Sequence, residues 1–324
     1  MTALVADAKY HREELQGCQV LYRNKDEFNA KHAAMVAAGK NKLQVISDFD
    51  FTLTRYYQAD GVSRSASCHM VLEHSTGLLP DTYCTAAKEL QMFYYPIEQD
   101  PVMDADVKFA HMEDWVGKHN KLFMEVGLTE DIVQTSVLRA LDNGKFRLRG
   151  GVEELLSTLE EHAVPLLIFS AGIENVLEFA LQSALSPATS DGVICMKPLP
   201  ENLNIISNRV LFDNGLITGF TEPVLHVYNK SCHAWLKRNA HFTVADGRRN
   251  VLLFGDSLGD IKMSQGYEDQ IDNIIRVGFL NDRTKADSQL DTYLLESNYD
   301  MVIVGDPGVE VHQHLLEKIL LTIS

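Results

Sequence analysis

Two short acidic clusters in this sequence could do chemistry. The segment Ser47-Asp48-Phe49-Asp50-Phe51-Thr52-Leu53-Thr54 carries two carboxylates two residues apart, directly after an apolar run. In an extended backbone such a pair faces one side, although turns and helix caps use Asp in the same way. The segment Phe254-Gly255-Asp256-Ser257-Leu258-Gly259-Asp260 repeats the design, with an apolar run entering a Gly-flanked turn that bears two carboxylates four residues apart. If the two runs are neighbouring strands, Asp48, Asp50, Asp256 and Asp260 converge, and their repulsion is costly unless a cation sits among them. Oxygen donors without His or thiolate select a hard ion, and Mg²⁺ is the one expected.

Two further positions complete a reaction. Ser170, in Ser170-Ala171-Gly172, ends the run Pro165 to Phe169 and leads into a helical pattern. A hydroxyl beside free backbone N–H groups there makes a phosphate seat, or else simply caps the helix. Lys230 follows the strand-like Val224 to Tyr228 and precedes a helical pattern; an isolated Lys in such a place is ordinarily a solvated surface residue. Taken together, an acid pair, a hard metal, a phosphate seat and one fixed cation suit phosphoryl transfer through an aspartyl-phosphate. A carboxylate nucleophile splits a very slow displacement into two easier halves. The cations must offset a repulsion of about 4 kcal/mol per charge pair at 4 Å between that carboxylate and an anionic substrate.

The elements that must position these residues are legible as apolar runs. Leu43 to Asp48, Pro165 to Ser170, Val251 to Gly255, Ile274 to Gly278 and Met301 to Gly305 read as buried parallel strands. Helical patterns alternate with them at Val152 to Glu161, Ile173 to Leu181, Ser231 to Arg238 and Val309 to Leu321. Alternation of this kind predicts an α/β fold, an open Rossmann-like parallel sheet with helices on both faces. From about Ala59 to Gly150 the alternation stops, leaving only helical stretches around Met70, Thr82 to Phe93, Ala105 to Leu122 and Glu130 to Leu141. We therefore expect a catalytic core of residues 1–58 and 150–324 and a helical cap of residues 59–149. Arg149-Gly150-Gly151 marks the return, and the first 40 residues, helical from Glu27 to Ala38, have no clear place.

Composition bounds the answer. The 324 residues are 45% hydrophobic and 23% charged, which excludes a fibre or a disordered tail. A net charge of −16 opposes general binding to nucleic acid or to an anionic membrane. Five scattered cysteines, Cys18, Cys68, Cys84, Cys195 and Cys232, form neither a zinc pattern nor a disulfide framework. With no secretory h-region in Met1 to Leu15 and no spanning apolar stretch, a soluble cytoplasmic protein is expected. Oligomeric state is left open, a monomer being compatible with the sequence.

The motif set Asp48-Phe49-Asp50-Phe51-Thr52, Ser170, Lys230 and Gly255 to Asp260, in that order, resembles the four motifs of the haloacid dehalogenase-like superfamily. More closely, Val45 to Thr54, Tyr94 to Pro101, Ile168 to Ile173, His226 to Lys230 and Gly278 to Arg283 resemble the cytosolic 5′-nucleotidase type III, or pyrimidine 5′-nucleotidase, family. The resemblance runs from about Glu27 to the C-terminus. It implies a Mg²⁺-dependent enzyme that converts a nucleoside 5′-monophosphate to nucleoside and phosphate. Asp48 would be the nucleophile and a Mg²⁺ ligand, and Asp50 the acid and then base, binding Mg²⁺ through its carbonyl. Asp256 would be the third protein ligand, Asp260 would orient a water of the ion, and Ser170, the Ala171 N–H and Lys230 would hold phosphate. In the cap, Glu98, His69 and Trp115 would contact the base.

Plainer readings stand beside these. His69 could be a satisfied structural residue, and Trp115 with Phe109 and Phe123 could be helix core. If Glu98 faces the base, it favours one carrying donors or positive charge, such as cytosine or a cationic methylated guanine. Phe254 to Leu258 also resembles the GDSL esterase signature, but no Asp-x-x-His follows. A phosphoserine or sugar phosphatase with a similar cap, or a non-catalytic binding module, completes the alternatives.

Overall fold

A computed structural model describes residues 9–100, 102–186, 196–230, 247–266 and 268–321. The predicted helix Ser231 to Arg238, together with Cys195 and Cys232, lies outside the described residues.

Six parallel strands form all but one side of an eight-stranded sheet. They are β3 (Leu43–Ser47), β4 (Leu166–Ile173), β5 (Leu203–Asn208), β8 (Asn250–Gly255), β9 (Asn273–Leu280) and β10 (Met301–Val304), arranged in space as β10-β9-β8-β3-β4-β5. Every residue of β3 and β8 is buried. Alternate side chains leave to opposite faces: Val45, Ile168 and Leu252 join one apolar cluster, whereas Ile46, Leu167 and Leu253 join another. Both faces of the sheet are thus covered, which is why these strands read as continuous apolar runs. Packed helices include α1 (Lys25–Ala38), α6 (Val152–Glu161), α7 (Glu174–Leu185) and a final helix over Glu310–Leu320. In α6, Val152, Leu155, Leu156 and Leu159 are buried at helical spacing, each worth about 1.5–3 kcal/mol relative to exposure.

Between β3 and α6 the described chain adds four helices and no strand to the main sheet: α2 (Cys68–Glu73), α3 (Asp81–Gln99), α4 (Ala105–Glu125) and α5 (Glu130–Asp142). The two connecting segments run side by side, with a bridge at Thr54 and Leu148 and a bond from the Arg55 N–H to the Arg147 carbonyl of 2.8 Å.

Three elements differ from expectation. Residues before α1 form a hairpin, β1 (His11–Leu15) and β2 (Cys18–Tyr22), whose second strand extends the sheet antiparallel to β10. Its turn, Gln16-Gly17, has positive φ at both positions (53° and 71°), the geometry a two-residue hairpin loop needs. A second hairpin, β6 (Val210–Asp213) and β7 (Leu216–Phe220), leans on the helical insertion through the Ile217 N–H to the Leu128 carbonyl, 3.0 Å. The stretch Val224 to Tyr228 is not a strand but an irregular segment entering a turn. Side chains take the place of a neighbouring strand there. Asn208 Oδ1 accepts from the Leu225 N–H at 2.7 Å, Asn208 Nδ2 donates to the Leu225 carbonyl at 2.8 Å, and Asn229 Nδ2 donates to the Val224 carbonyl at 2.8 Å.

Candidate active site

Asp48 and Asp256 each follow the last residue of adjacent parallel strands, β3 and β8, whose register pairs Ser47 with Phe254. The Asp48 N–H donates to the Phe254 carbonyl at 2.9 Å, so the two carboxylates leave the same edge of the sheet. Carboxylate oxygens of Asp48, Asp256 and Asp260 lie within 4.8 Å of one another. Lys230 is 3% exposed and joins them, its Nζ reaching Asp48 Oδ1 at 2.5 Å and Asp260 Oδ1 at 2.7 Å. The plain reading of Lys230 as a solvated surface residue is therefore wrong. Asp260 Oδ2 accepts from the N–H groups of Asp256 (3.1 Å) and Ser257 (2.9 Å) and from the Ser257 hydroxyl (2.9 Å). Ser257 thus serves a carboxylate and, among the described residues, bonds to no imidazole as an esterase would require.

Electrostatics mark this edge as a place built for a cation. Burial pushes the Asp48 carboxyl up to about 7, against the pull of Lys230 and with the push of Asp260. Burial also drives Asp256 well above the usual carboxylate range, with Asp260 and Asp48 adding to it. One ammonium leaves this cluster of acids undercompensated, and the donors are all hard oxygen, so the residues present fit Mg²⁺.

Asp50 is held differently. Both of its oxygens accept from the Cys68 N–H at the start of α2, at 3.0 and 3.1 Å, and burial raises it to about 6. Phe51, the residue after it, adopts φ 62°, uncommon for a bulky side chain. Arg149 fixes this turn: fully buried, it donates to the carbonyls of Phe51 (2.7 Å) and Thr52 (2.8 Å) and pairs with Asp306 at 2.7 Å. Asn281 adds a bond to the Phe51 carbonyl at 2.9 Å. Sequence reasoning took Arg149 for punctuation. Its role depends on residues more than 90 positions away, which no local pattern reveals.

Ser170 is buried on β4, and its hydroxyl accepts from the Gly172 N–H at 3.1 Å. It does not cap α7, whose N-cap is Ile173 without a side-chain bond. Gly172 has no room for a side chain, since a Cβ would meet Cys68 Cβ at 2.9 Å and Asp50 Oδ2 at 3.2 Å.

A cavity of about 270 Å³ unites the site. Asp48, Asp50, Ser170, Ala171, Lys230, Asp256 and Asp260 line it, as do Glu98, His69 and Trp115 from the helical insertion. Trp115 stacks on Tyr94 with ring centres 5.7 Å apart while also bordering this space, so packing and lining coincide. Burial lowers His69 to about 4 and raises Glu98 to about 6. Three lining residues escaped the sequence reading. Arg64 lies 4.8 Å from the Phe51 ring centre and donates to the Tyr95 hydroxyl at 2.7 Å. Glu73 and His119 face each other at 3.2 Å, nearly fully buried, and among the described residues neither His119 ring nitrogen has a hydrogen-bond partner. His69 packs edge-on against His119 at 5.4 Å. Helical spacing alone marks Glu73 and His119 as core, since only tertiary structure turns their face toward the cavity. Finally, the Tyr228 hydroxyl, two residues before Lys230, donates to the Glu98 carbonyl at 2.9 Å.

An open parallel sheet with acids at its strand ends and a helical insertion after the first of those strands defines a capped phosphohydrolase of the haloacid dehalogenase-like fold. The model of the pyrimidine 5′-nucleotidase (UMPH-1) family matches residues 51–320. Among curated relatives, a 7-methylguanosine phosphate-specific 5′-nucleotidase A from Xenopus laevis is 33% identical, covering 92% of this chain and 94% of its own. The human 7-methylguanosine phosphate-specific 5′-nucleotidase is 32% identical, covering 94% of both chains. A putative cytosolic 5′-nucleotidase 3 of Caenorhabditis elegans is 32% identical over 93% of this chain and 75% of its own. A crystal structure of cytosolic 5′-nucleotidase IIIB bound to cytidine superposes with a TM-score of 0.75, at 25% identity over 93% of each chain. This chain belongs to the pyrimidine 5′-nucleotidase family and is a phosphoric monoester hydrolase of the 5′-nucleotidase type.

Proposed function

We propose that this enzyme hydrolyses nucleoside 5′-monophosphates whose base carries donors or positive charge, cytidine and 7-methylguanosine monophosphates foremost. The observation that carries this reading is that one cavity holds both the acid–lysine cluster and Glu98 with Trp115. A carboxylate accepts from an exocyclic amine or ring N–H and attracts a cationic ring, and an indole offers it a stacking face. Relatives named for 7-methylguanosine phosphate and a relative's structure with cytidine support the same choice.

In this reading Asp48 attacks phosphorus with Oδ2, the oxygen that Lys230 does not engage. The bond from phosphorus to the ribose oxygen breaks, and Asp50 protonates that oxygen as the nucleoside leaves. Asp50, now a carboxylate, takes a proton from water, which attacks phosphorus, breaks the bond to Asp48 and releases phosphate. Ser170, the Ala171 N–H and Lys230 hold the phosphate oxygens throughout. Asp48, the Asp50 carbonyl and Asp256 would hold Mg²⁺, while Asp260, both of whose oxygens are already taken by donors, supports from behind. When bound, the ion supplies positive charge that offsets repulsion between Asp48 and substrate and neutralises charge in the transition state. A relative's description as cytosolic supports placing the enzyme in the cytosol.

Phosphate release from CMP, UMP, 7-methyl-GMP, AMP, GMP and phosphoserine, with Mg²⁺ and with chelator, tests the proposal. CMP and 7-methyl-GMP should lead by kcat/KM, and chelation should abolish turnover. Faster release from phosphoserine than from every nucleotide would overturn the substrate reading.

A further inference from the structure

We propose that the helical insertion carries a second anion site, of orthophosphate size, on the side of α2 away from the catalytic acids. A cavity of about 80 Å³ lies there, lined by His74, Ser136, Arg139, Asn143 and Lys145 among others. Its chemistry inverts that of the active site. Six carboxylate residues line the larger cavity, Asp48, Asp50, Glu73, Glu98, Asp256 and Asp260, whereas none lines this one. In a chain with 45 acids and 29 bases, a surface cation usually finds an acid. Among the described residues, however, neither Arg139 nor Lys145 forms an ion pair, and the Arg139 guanidinium reaches only the Thr76 carbonyl, at 3.2 Å. Burial holds the His74 imidazole below its ordinary range, against the pull of Glu73 and with the smaller push of Lys145 and Lys88.

The second observation is an orphan. Ser136 is 2% exposed, lines this cavity, and among the described residues its hydroxyl has no partner. Neighbouring Ser75, also buried, bonds to the Val71 carbonyl at 2.7 Å instead. A buried hydroxyl without a partner costs about 1–3 kcal/mol, and a ligand oxygen would relieve that cost. Two cations and a hydroxyl donor, with no carboxylate among the lining residues, describe a receptor for a tetrahedral oxyanion. The space is too small for a nucleotide.

Its position gives it a consequence. Met70 of α2 lines both cavities. The Lys145 carbonyl accepts from the Ala66 N–H (2.8 Å) and the Ser65 hydroxyl (2.9 Å), just before Cys68, whose N–H holds Asp50. An anion drawn between Arg139 and Lys145 pulls on the segment that positions the acid, and so lowers turnover without competing for the nucleotide.

Two measurements test this. Isothermal titration of orthophosphate into the full chain with Mg²⁺ should show two sites in wild type and one in the Arg139→Gln/Lys145→Gln double variant, which alters only exposed side chains. In steady-state assays orthophosphate should raise KM in both proteins but lower kcat, by about 2- to 5-fold, only in wild type. Ser136→Ala should weaken the second site and keep the first. One site in both proteins, or a kcat that orthophosphate leaves unmoved, overturns the proposal. Methylphosphonate separates sources: a kcat response to orthophosphate alone identifies free product phosphate, and a response to both identifies a phosphoryl group on a larger molecule. The kcat arm rests on the nucleotidase reading. Two titrated sites in a chain inactive on every nucleotide would sink that reading and leave this binding site standing.

Discussion

The two ends of the active cavity are built in opposite ways. At the end proposed to hold phosphate, Asp48 and Asp256 follow adjacent strands, and the register of the sheet alone brings them together. At the end proposed to hold the base, Glu98, Trp115, His69 and His119 come from three helices, and only side-chain packing sets their spacing. Backbone-ordered chemistry tolerates sequence change around it, whereas packing-ordered recognition shifts with each substitution. The contrast explains how one core accepts different substrates.

The largest expected effect breaks the phosphate end. Asp48→Asn should lower kcat by at least ~10³-fold with an unchanged fold by circular dichroism, because the strand and not the side chain sets the geometry. Near-normal turnover would remove Asp48 from its role. Gly172→Ala attacks the seam between the two ends. An added methyl meets Cys68 and displaces Asp50, and a misplaced acid should cost about 10- to 100-fold in kcat while KM changes little; a change confined to KM would contradict the placement.

Glu98→Gln sharpens the comparison from the base end. It should reduce kcat/KM for CMP and 7-methyl-GMP by about 10-fold or more, consistent with roughly 1.5–3 kcal/mol for a hydrogen bond to a charged group, and mostly through KM. Equal loss in kcat and kcat/KM would show that Glu98 acts on the chemistry instead. The smallest effect is on stability. Glu98 titrates at about 6 in the folded chain, above its ordinary 4.5, because burial disfavours its charge. The folded state therefore holds more protons than the unfolded one between those values. Stability from this group is full below 4.5 and is lost as pH rises through 6. At pH 7, Glu98→Gln should be more stable than wild type by on the order of 1 kcal/mol, with the gap closing below pH 4.5. Urea titrations at the two pH values measure it.

What could be read without coordinates follows the same division. The strand-end acids, Ser170 and Lys230 lie inside contiguous motifs, and α2 to α7 announce themselves through helical spacing. By contrast, β1 is largely exposed and polar, so no apolar run betrays it, while Leu225 is buried like a strand residue yet is held by Asn208. Arg149, Arg64, Glu73 and His119 gain their roles from partners distant in sequence. A lone charged residue on an amphipathic helix carries no mark of the direction it will face.

The Tyr228 hydroxyl fastens the loop that carries Lys230 to the helix end that carries Glu98. That tie acts as a gauge. In the proposed reading the grip on phosphorus and the grip on the ring are clamped to one another, and a ligand's length is compared against a preset span. On that reading a nucleoside diphosphate, longer by one phosphoryl group, would overshoot the span, and selection for a single phosphate would be a matter of reach before it is a matter of charge.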